Sequence, residues 1–238
     1  MTFDRSTRPG ALPLYLQVSA YLAREIAAGR PAPGTRLAPE RRLAADLGVA
    51  VGTLRQALDD LADKGLIDRR QGSGTYVREG ARPGGVYAML GLELKDGGGL
   101  PSAEILSVAR LPKPAHLPAF GTVPEGHRIR RLRRLSGQVA AVEEIWLDGA
   151  FAETLAPADL SDSLYLTYRT RLGLVIARAE DRVGLGALPG WAPAAFPHPP
   201  GTPLPHVLRR AWTAGGLCAE VSETWIDPSV AAYVARLS

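Results

Sequence analysis

The sequence predicts an α+β chain built in two parts, and three observations carry that reading. Helix-period patterns ending in a glycine-containing hairpin occupy the first third of the chain. Strand-like runs interspersed with helical pieces make up the remainder, which reads as a mixed domain. Between them, residues 78–85 (REGARPGG) turn to Arg, Gly and Pro, the composition of a linker. At 238 residues the chain suits two modest domains better than one. The expected division is 1–77, ordered from about residue 12, then a linker over 78–88, then 89–238.

Taken in order, residues 1–12 read as a disordered leader. Pro13 opens a helix in which Leu14, Val18, Leu22 and Ile26 recur every fourth residue, and Gly29 stops it. After a Pro/Gly loop, ERRLAADL behind Pro39 gives a helix of barely two turns ending at Gly48. The turn Gly48-Val49-Ala50 leads into VGTLRQALDDLADKG, where Leu54, Leu58 and Leu61 form an apolar stripe and Gly65 supplies the stop. Residues 66–70 and 75–77 then read as two short strands around QGSG. That order of elements is a winged helix-turn-helix. Further on, strands are predicted in AEILSVARL, HRIRRLRRL, VAAVEEIWL, LGLVIARAEDRV, HVLRRAW and AEVSETWI, and helical pieces at 114–120, 150–170 and 228–236. The proline-rich stretch 189–205 reads as an ordered surface excursion that is neither helix nor strand.

Bulk composition narrows the classes. The lone Cys218 excludes a disulfide framework and fits a reducing cytoplasm. No signal peptide is expected ahead of the first helix, and no stretch reaches the ~20 apolar residues that a membrane span needs. The net charge is +4, of which +3 falls before residue 80, on the side of the helix-turn-helix.

A helix that enters a major groove needs polar first turns and a back face anchored in a core. Val51 to Lys64 has that form. Its leucines point inward, leaving Gly52, Thr53, Arg55 and Gln56 outward for guanine, adenine, thymine methyl or phosphate. Arg41 starts the preceding helix within reach of the same groove. In the wing, Gly72 and Gly74 permit close approach, and Arg69, Arg70 and Gln71 supply phosphate contacts. Residues 13–77, quoted above, closely resemble the DNA-binding domain of the GntR family of bacterial regulators. The resemblance implies operator contacts by Arg41, Gly52, Thr53, Arg55 and Gly72. Three positions depart from the family pattern. Pro39 replaces a usual Ser, Ala50 replaces the usual Ser N-cap, and Val51 stands where many members have a base-reading Arg. Fewer direct base contacts are therefore expected, with a greater share for Arg41, Arg55 and the wing.

The densest charge constellation is RIRRLRRLSGQVAAVEEIWL, residues 128–147. On a strand Arg131 and Arg133 share one face while Arg130 and Arg134 share the other, and the strand returning after Ser136-Gly137 brings back Glu143 or Glu144. Convergent arginines suit a phosphate or carboxylate, with a carboxylate nearby for hydroxyls or amines. A solvated sheet face laced with cross-strand ion pairs is the other reading. From about residue 100 to 236 the pattern resembles the UTRA domain, the effector-binding domain of the HutC subfamily, which shares the chorismate lyase fold; the resemblance implies an α+β domain with a mainly antiparallel sheet. The matching pieces are Arg131-Leu132-Arg133, Gly137, Glu143, Val175 to Glu180, Gly201 to Leu204, and the closing strand with Glu220 and Ser222. The resemblance implies an effector pocket of Arg131, Arg133, Glu143, Arg178, Glu180, Glu220, Ser222 and Tyr165. Val139 in place of the usual Pro after Gly137 and the long 189–205 segment predict a different pocket rim.

Catalysis is the principal rival. His116, His127, His198 and His206 lack metal-ligand spacing, Cys218 has no His or Asp beside it in sequence, and Glu143 with Glu144 sits among arginines suited to binding. A purely architectural DNA binder would need neither a helix-turn-helix nor a mixed domain of this size. No cofactor, metal or membrane partner is expected. The combined resemblance implies a cytoplasmic, nucleoid-associated bacterial homodimer on an inverted-repeat operator, and repression relieved by a small polar or anionic metabolite.

Overall fold

The computed structural model describes residues 12–27, 29–78 and 91–235. The leader (residues 1–11) and most of the expected linker lie outside the described residues. Leu12, read as leader, is described and is buried.

Three helices and a hairpin form the N-terminal head. α1 spans Leu14–Ala27, α2 Glu40–Leu47 and α3 Val51–Asp63. Val18, Leu22 and Ile26 of α1 meet Leu54, Leu58 and Leu61 of α3 in one apolar cluster. This i, i+4 stripe is what makes a helix-forming pattern into a stable helix, because most helical stability comes from burying one face. Gly48 ends α2 in the left-handed conformation (φ 65°), its N–H bonding back to Ala45 O, which an L side chain would strain. Pro39 and Ala50 sit at the N-caps of α2 and α3 without a side-chain cap, as the departures from the family pattern imply. The wing is β1 (Ile67–Arg70) paired antiparallel with β2 (Gly74–Val77), turning through Gly72 at φ 72°.

The second part is a six-stranded antiparallel sheet in the order β4-β5-β6-β9-β8-β7. The strands are β4 (Pro101–Pro112), β5 (Glu125–Leu135), β6 (Gln138–Asp148), β7 (Ile176–Ala187), β8 (Pro203–Thr213) and β9 (Cys218–Ile226). β3 (Leu92–Leu94) and β10 (Ala231–Tyr233) pair with each other beside it. A helix, α4 (Leu164–Arg171), covers one face, where Leu164 and Tyr168 pack on Ile129, Ile145 and Leu147. The other face is covered by the proline-rich loop 188–202, which sets Phe196 and Trp191 against Leu132, Val142 and Trp225.

Several expectations need correction. Residues 114–120 form turns, because Pro114 and Pro118 deny that short segment a continuous helical backbone. Of the expected helix at 228–236, the described residues 228–235 hold β10 and not a helix, since Ala231 and Tyr233 pair with β3. Within 150–170 the helical residues are short 3-10 turns and α4, which begins only at Leu164 and ends at Arg171. Pro203 to Pro205, assigned to the excursion, begin β8.

Ala50 already has the extended N-cap conformation (φ −68°, ψ 146°), so Ala50→Ser adds the missing acceptor without backbone cost. The substitution is expected to stabilise the head by ~1 kcal/mol, read as a higher midpoint in urea unfolding.

Candidate functional site

Two surfaces gather the residues singled out above. The first lies on the head. The leucine stripe of α3 is fully buried, so the helix presents Gly52, Arg55 and Gln56 to solvent, with Thr53 partly exposed. Arg41, Arg69, Arg70, Gln71 and Gly72 are exposed on α2 and the wing. Arg55 Nε donates to Glu40 Oε2 at 2.6 Å, and Arg69 pairs with Asp59 at 2.6 Å while donating to Arg55 O at 3.3 Å. Arg70 stacks over the Tyr76 ring. These exposed pairs are worth little in water, so the guanidiniums are held in place yet available for exchange. A Cβ at Gly52 or Gly72 would meet nothing within 4 Å, so both glycines border open space.

The second surface is a pocket of about 100 Å³ between the sheet and α4. Register builds it. Arg131 faces Glu143 directly across β5 and β6, whereas Arg130 faces Glu144. Of the two glutamates the sequence left open, Glu143 is therefore the one in the pocket. Arg131 reaches Glu143 at 2.7 Å, and Arg133 reaches it at 3.1 Å. Both arginines also lean on the carbonyl of Asp162, at 3.5 and 3.4 Å. Arg130 turns to the opposite face, where it pairs with Glu144 at 2.7 Å and stacks on Trp191.

The electrostatics follow from burial. Burial alone would push the Glu143 carboxyl up, but Arg131 and Arg133 outweigh it and hold the group below its ordinary value. Burial draws the Arg133 guanidinium down, with Glu143 opposing. Two buried guanidiniums share one carboxylate, and the Nε–H of each has no partner among the described residues. Buried donors of this kind are costly unless something accepts from them.

Glu220 lies further along the same face, 2% exposed, accepting from Tyr165 Oη at 3.0 Å with the Tyr168 hydroxyl also beside it. Burial raises its pKa. Ser222, also lining the pocket, sits in register between Ile145 and Arg209.

Arg178 and Glu180 do not join this pocket. A register shift after Ile176 sends them to the other face, where Arg178 stacks over Trp212 and Glu180 pairs with Arg182. Asp181 points the other way instead, to the pocket-lining Arg209, which clamps it through two bonds of 2.6 Å, and to the Tyr233 hydroxyl. Arg209, Asp162 and Tyr233 line the pocket and were missed. In HVLRRAW, adjacent arginines leave the inward one undecided until the strand is registered against β9. Among the described residues no cluster of three metal-ligating side chains occurs. No helix among them is long and apolar enough to cross a membrane.

A solvent-facing helix anchored by leucines, joined to a sheet domain with a charged interior pocket, defines a transcription regulator with separate DNA-binding and ligand-binding domains. The comparisons agree. Residues 14–77 match the model of the bacterial regulatory proteins of the gntR family, and residues 96–230 match the UTRA domain. The chain belongs to the GntR family of transcriptional regulators with a UTRA domain, which are not enzymes. It is 57% identical to the transcriptional regulator SmoD of Agrobacterium fabrum over 96% of this chain and 97% of that one. It is 28% identical to the mannosyl-D-glycerate transport/metabolism system repressor MngR of Escherichia coli over 73% of this chain and 75% of that one. In fold it is similar to the possible transcriptional regulator YydK of Bacillus subtilis, with a TM-score of 0.53 at 18% identity, covering 95% of this chain and all of that one.

The raised Glu220 pKa has a signed consequence. Below the unfolded value of about 4.3 both states carry the proton and burial costs nothing extra. As pH rises through the raised folded value, the folded state must ionise a buried group and stability is lost. Glu220→Gln removes that titration, so its stability relative to the native chain is expected to be greater at pH 7 than at pH 4 in parallel thermal melts. A difference that does not change with pH would contradict the assignment.

Proposed function

We propose that this chain is a ligand-responsive, sequence-specific repressor that acts in the bacterial cytoplasm and nucleoid. It binds an inverted-repeat operator as a homodimer and leaves it when a small anionic or polar metabolite occupies the Arg131–Arg133 pocket. The observation that carries the ligand reading is the buried excess of guanidinium over carboxylate at Glu143, with two Nε–H donors that lack a partner among the described residues. A carboxylate, phosphate or sulfonate would complete that set of hydrogen bonds, and Glu220, Ser222 and Tyr165 would meet hydroxyl groups. The assignment of MngR as a repressor of a mannosyl-D-glycerate system supports both the sign and a polar effector.

The DNA reading rests on the free polar side of α3. Arg55 would exchange Glu40 for a guanine edge or phosphate, while Arg41, Thr53 and Gln56 would flank it. Arg69, Arg70, Gln71 and Gly72 would hold the wing against the backbone. One head reads one half-site, so two heads fix an inverted repeat. Differential affinity of the effector for the two head arrangements then sets the population shift.

Footprinting on the DNA upstream of its own gene, with and without a panel of sugar phosphates, sugar acids and sulfonates, tests the whole reading. Protection of an inverted repeat that one class of compound abolishes is the expected result. Arg55→Ala is expected to weaken operator binding by ~1–3 kcal/mol in gel-shift titration. Arg133→Ala is expected to remove the response to the compound while leaving operator binding near its native level. Equal affinity for every duplex would end the reading.

A further inference from the structure

The head and the ligand pocket are not separate in this structure. Leu12, the residue just before the Pro13 that precedes α1, is 5% exposed and lines the arginine pocket together with Leu92, Val207 and Ile226. Leu12 also lines a second space, an outer crevice of about 440 Å³ between the head and the segment leading into α4. Pro13, Tyr15, Leu16 and Asp60 of the head form one wall of that crevice, and Leu160, Thr167 and Arg171 belong to the other. Among the described residues, Leu12 thus stands between an outer crevice and an inner pocket.

Volume decides what that means. With Leu12 in place the inner pocket holds about 100 Å³, well below the roughly 300–1,000 Å³ of ordinary small-molecule sites. An anion carrying a sugar-sized body does not fit beside Leu12. With Leu12 withdrawn, the pocket and the crevice become continuous. We infer that Leu12 is a gate contributed by the DNA-binding head, and that an anionic metabolite reaches Arg131 and Arg133 only by displacing it.

The gate is wired to the reading helix. Gln17 Nε2 donates to Leu12 O at 2.8 Å in a buried bond, which ties the gate to the first turn of α1. Val18 and Leu22 of α1 pack on the leucines of α3. Displacing Leu12 therefore disturbs the helix on which α3 rests. Two further contacts seat the head. Arg24 of α1 is buried against Glu93 of β3 and close enough to Arg133 to feel its charge, and burial draws its pKa down to about 10. Leu100, ahead of β4, enters the apolar cluster of the head. The seated head leaves α3 facing solvent and holds it in one orientation, which is the arrangement suited to a fixed operator. Ligand entry removes one of the contacts that hold it. This inference rests on the arginine pocket being the sensing site.

The test uses the full-length protein and anilinonaphthalene sulfonate, an anion with an apolar body too large for the closed pocket. Leu12 lies outside the apolar cluster of the head, so Leu12→Ala removes no head-core contact. Leu12→Ala is expected to bind the probe about ten-fold more tightly than the native chain, at one site per chain, within the ordinary range of allosteric coupling. Adding Arg133→Ala is expected to abolish that gain, and Leu12→Met, which keeps the plug, to behave as native. Leu12→Asp is expected to unseat the head and enlarge the radius of gyration in small-angle scattering, with the thermal melt of each variant checking that it is folded. Equal probe affinity in the native chain and Leu12→Ala, retained affinity in the double variant, or an unchanged radius for folded Leu12→Asp would each overturn the gate. None of these readouts involves DNA, so loss of operator recognition would count against the proposed function and not against the gate.

Discussion

Two arginines share one glutamate inside this protein, and the sensing domain depends on that arrangement. Arg131, Arg133 and Glu143 are each about 6% exposed. Removing three ions from water is costly, and attraction among them offsets that cost only when the geometry is good. Cross-strand register supplies the geometry by placing Arg131 opposite Glu143, while the Asp162 carbonyl accepts from both arginines. What remains is a fixed, desolvated cavity in which two guanidiniums share one carboxylate. Preorganisation of that kind favours binding, because the donors need not be reordered when a ligand arrives.

The head follows a simpler rule. One stripe of leucines, Leu54, Leu58 and Leu61, locates α3 against α1, and the polar residues between them have nowhere to go but outward. This is why the helices, the turn at Gly48 and the wing were legible from periodicity and glycine placement alone. The same rule made Arg55 and Gln56 readable as surface groups. It could not show that Arg55 rests on Glu40, since that pair joins two helices whose crossing no sequence pattern states.

In the sheet domain, alternation located the strands and divided Arg131 and Arg133 from Arg130. It failed where alternation breaks. The irregularity after Ile176 reverses the facing of Arg178 and Glu180, and one residue of slip is enough to exchange the two faces of a strand. Arg209 and Asp181 were hidden for the same reason, each adjacent to a like or opposite charge that hydropathy cannot distinguish. β10 was mistaken for a helix because three residues of pairing leave too short a pattern. Leu12 was beyond reach altogether, since its burial comes from the docking of one domain upon another.

The proline-rich loop over the far face of the sheet shows how rigidity can substitute for regular structure. Pro189, Pro193, Pro197, Pro199 and Pro200 punctuate a segment with neither helix nor strand, yet Phe196 within it is 3% exposed. Each fixed pyrrolidine ring narrows the conformations open to the unfolded chain, so less entropy is surrendered when the segment settles on Trp225. A flexible cover of equal length would lift away more readily and admit water behind Leu132 and Val142. The stiffened cover keeps the back of the sheet dry, and a sheet supported from behind can hold its charged front face in register while the space in front of it changes.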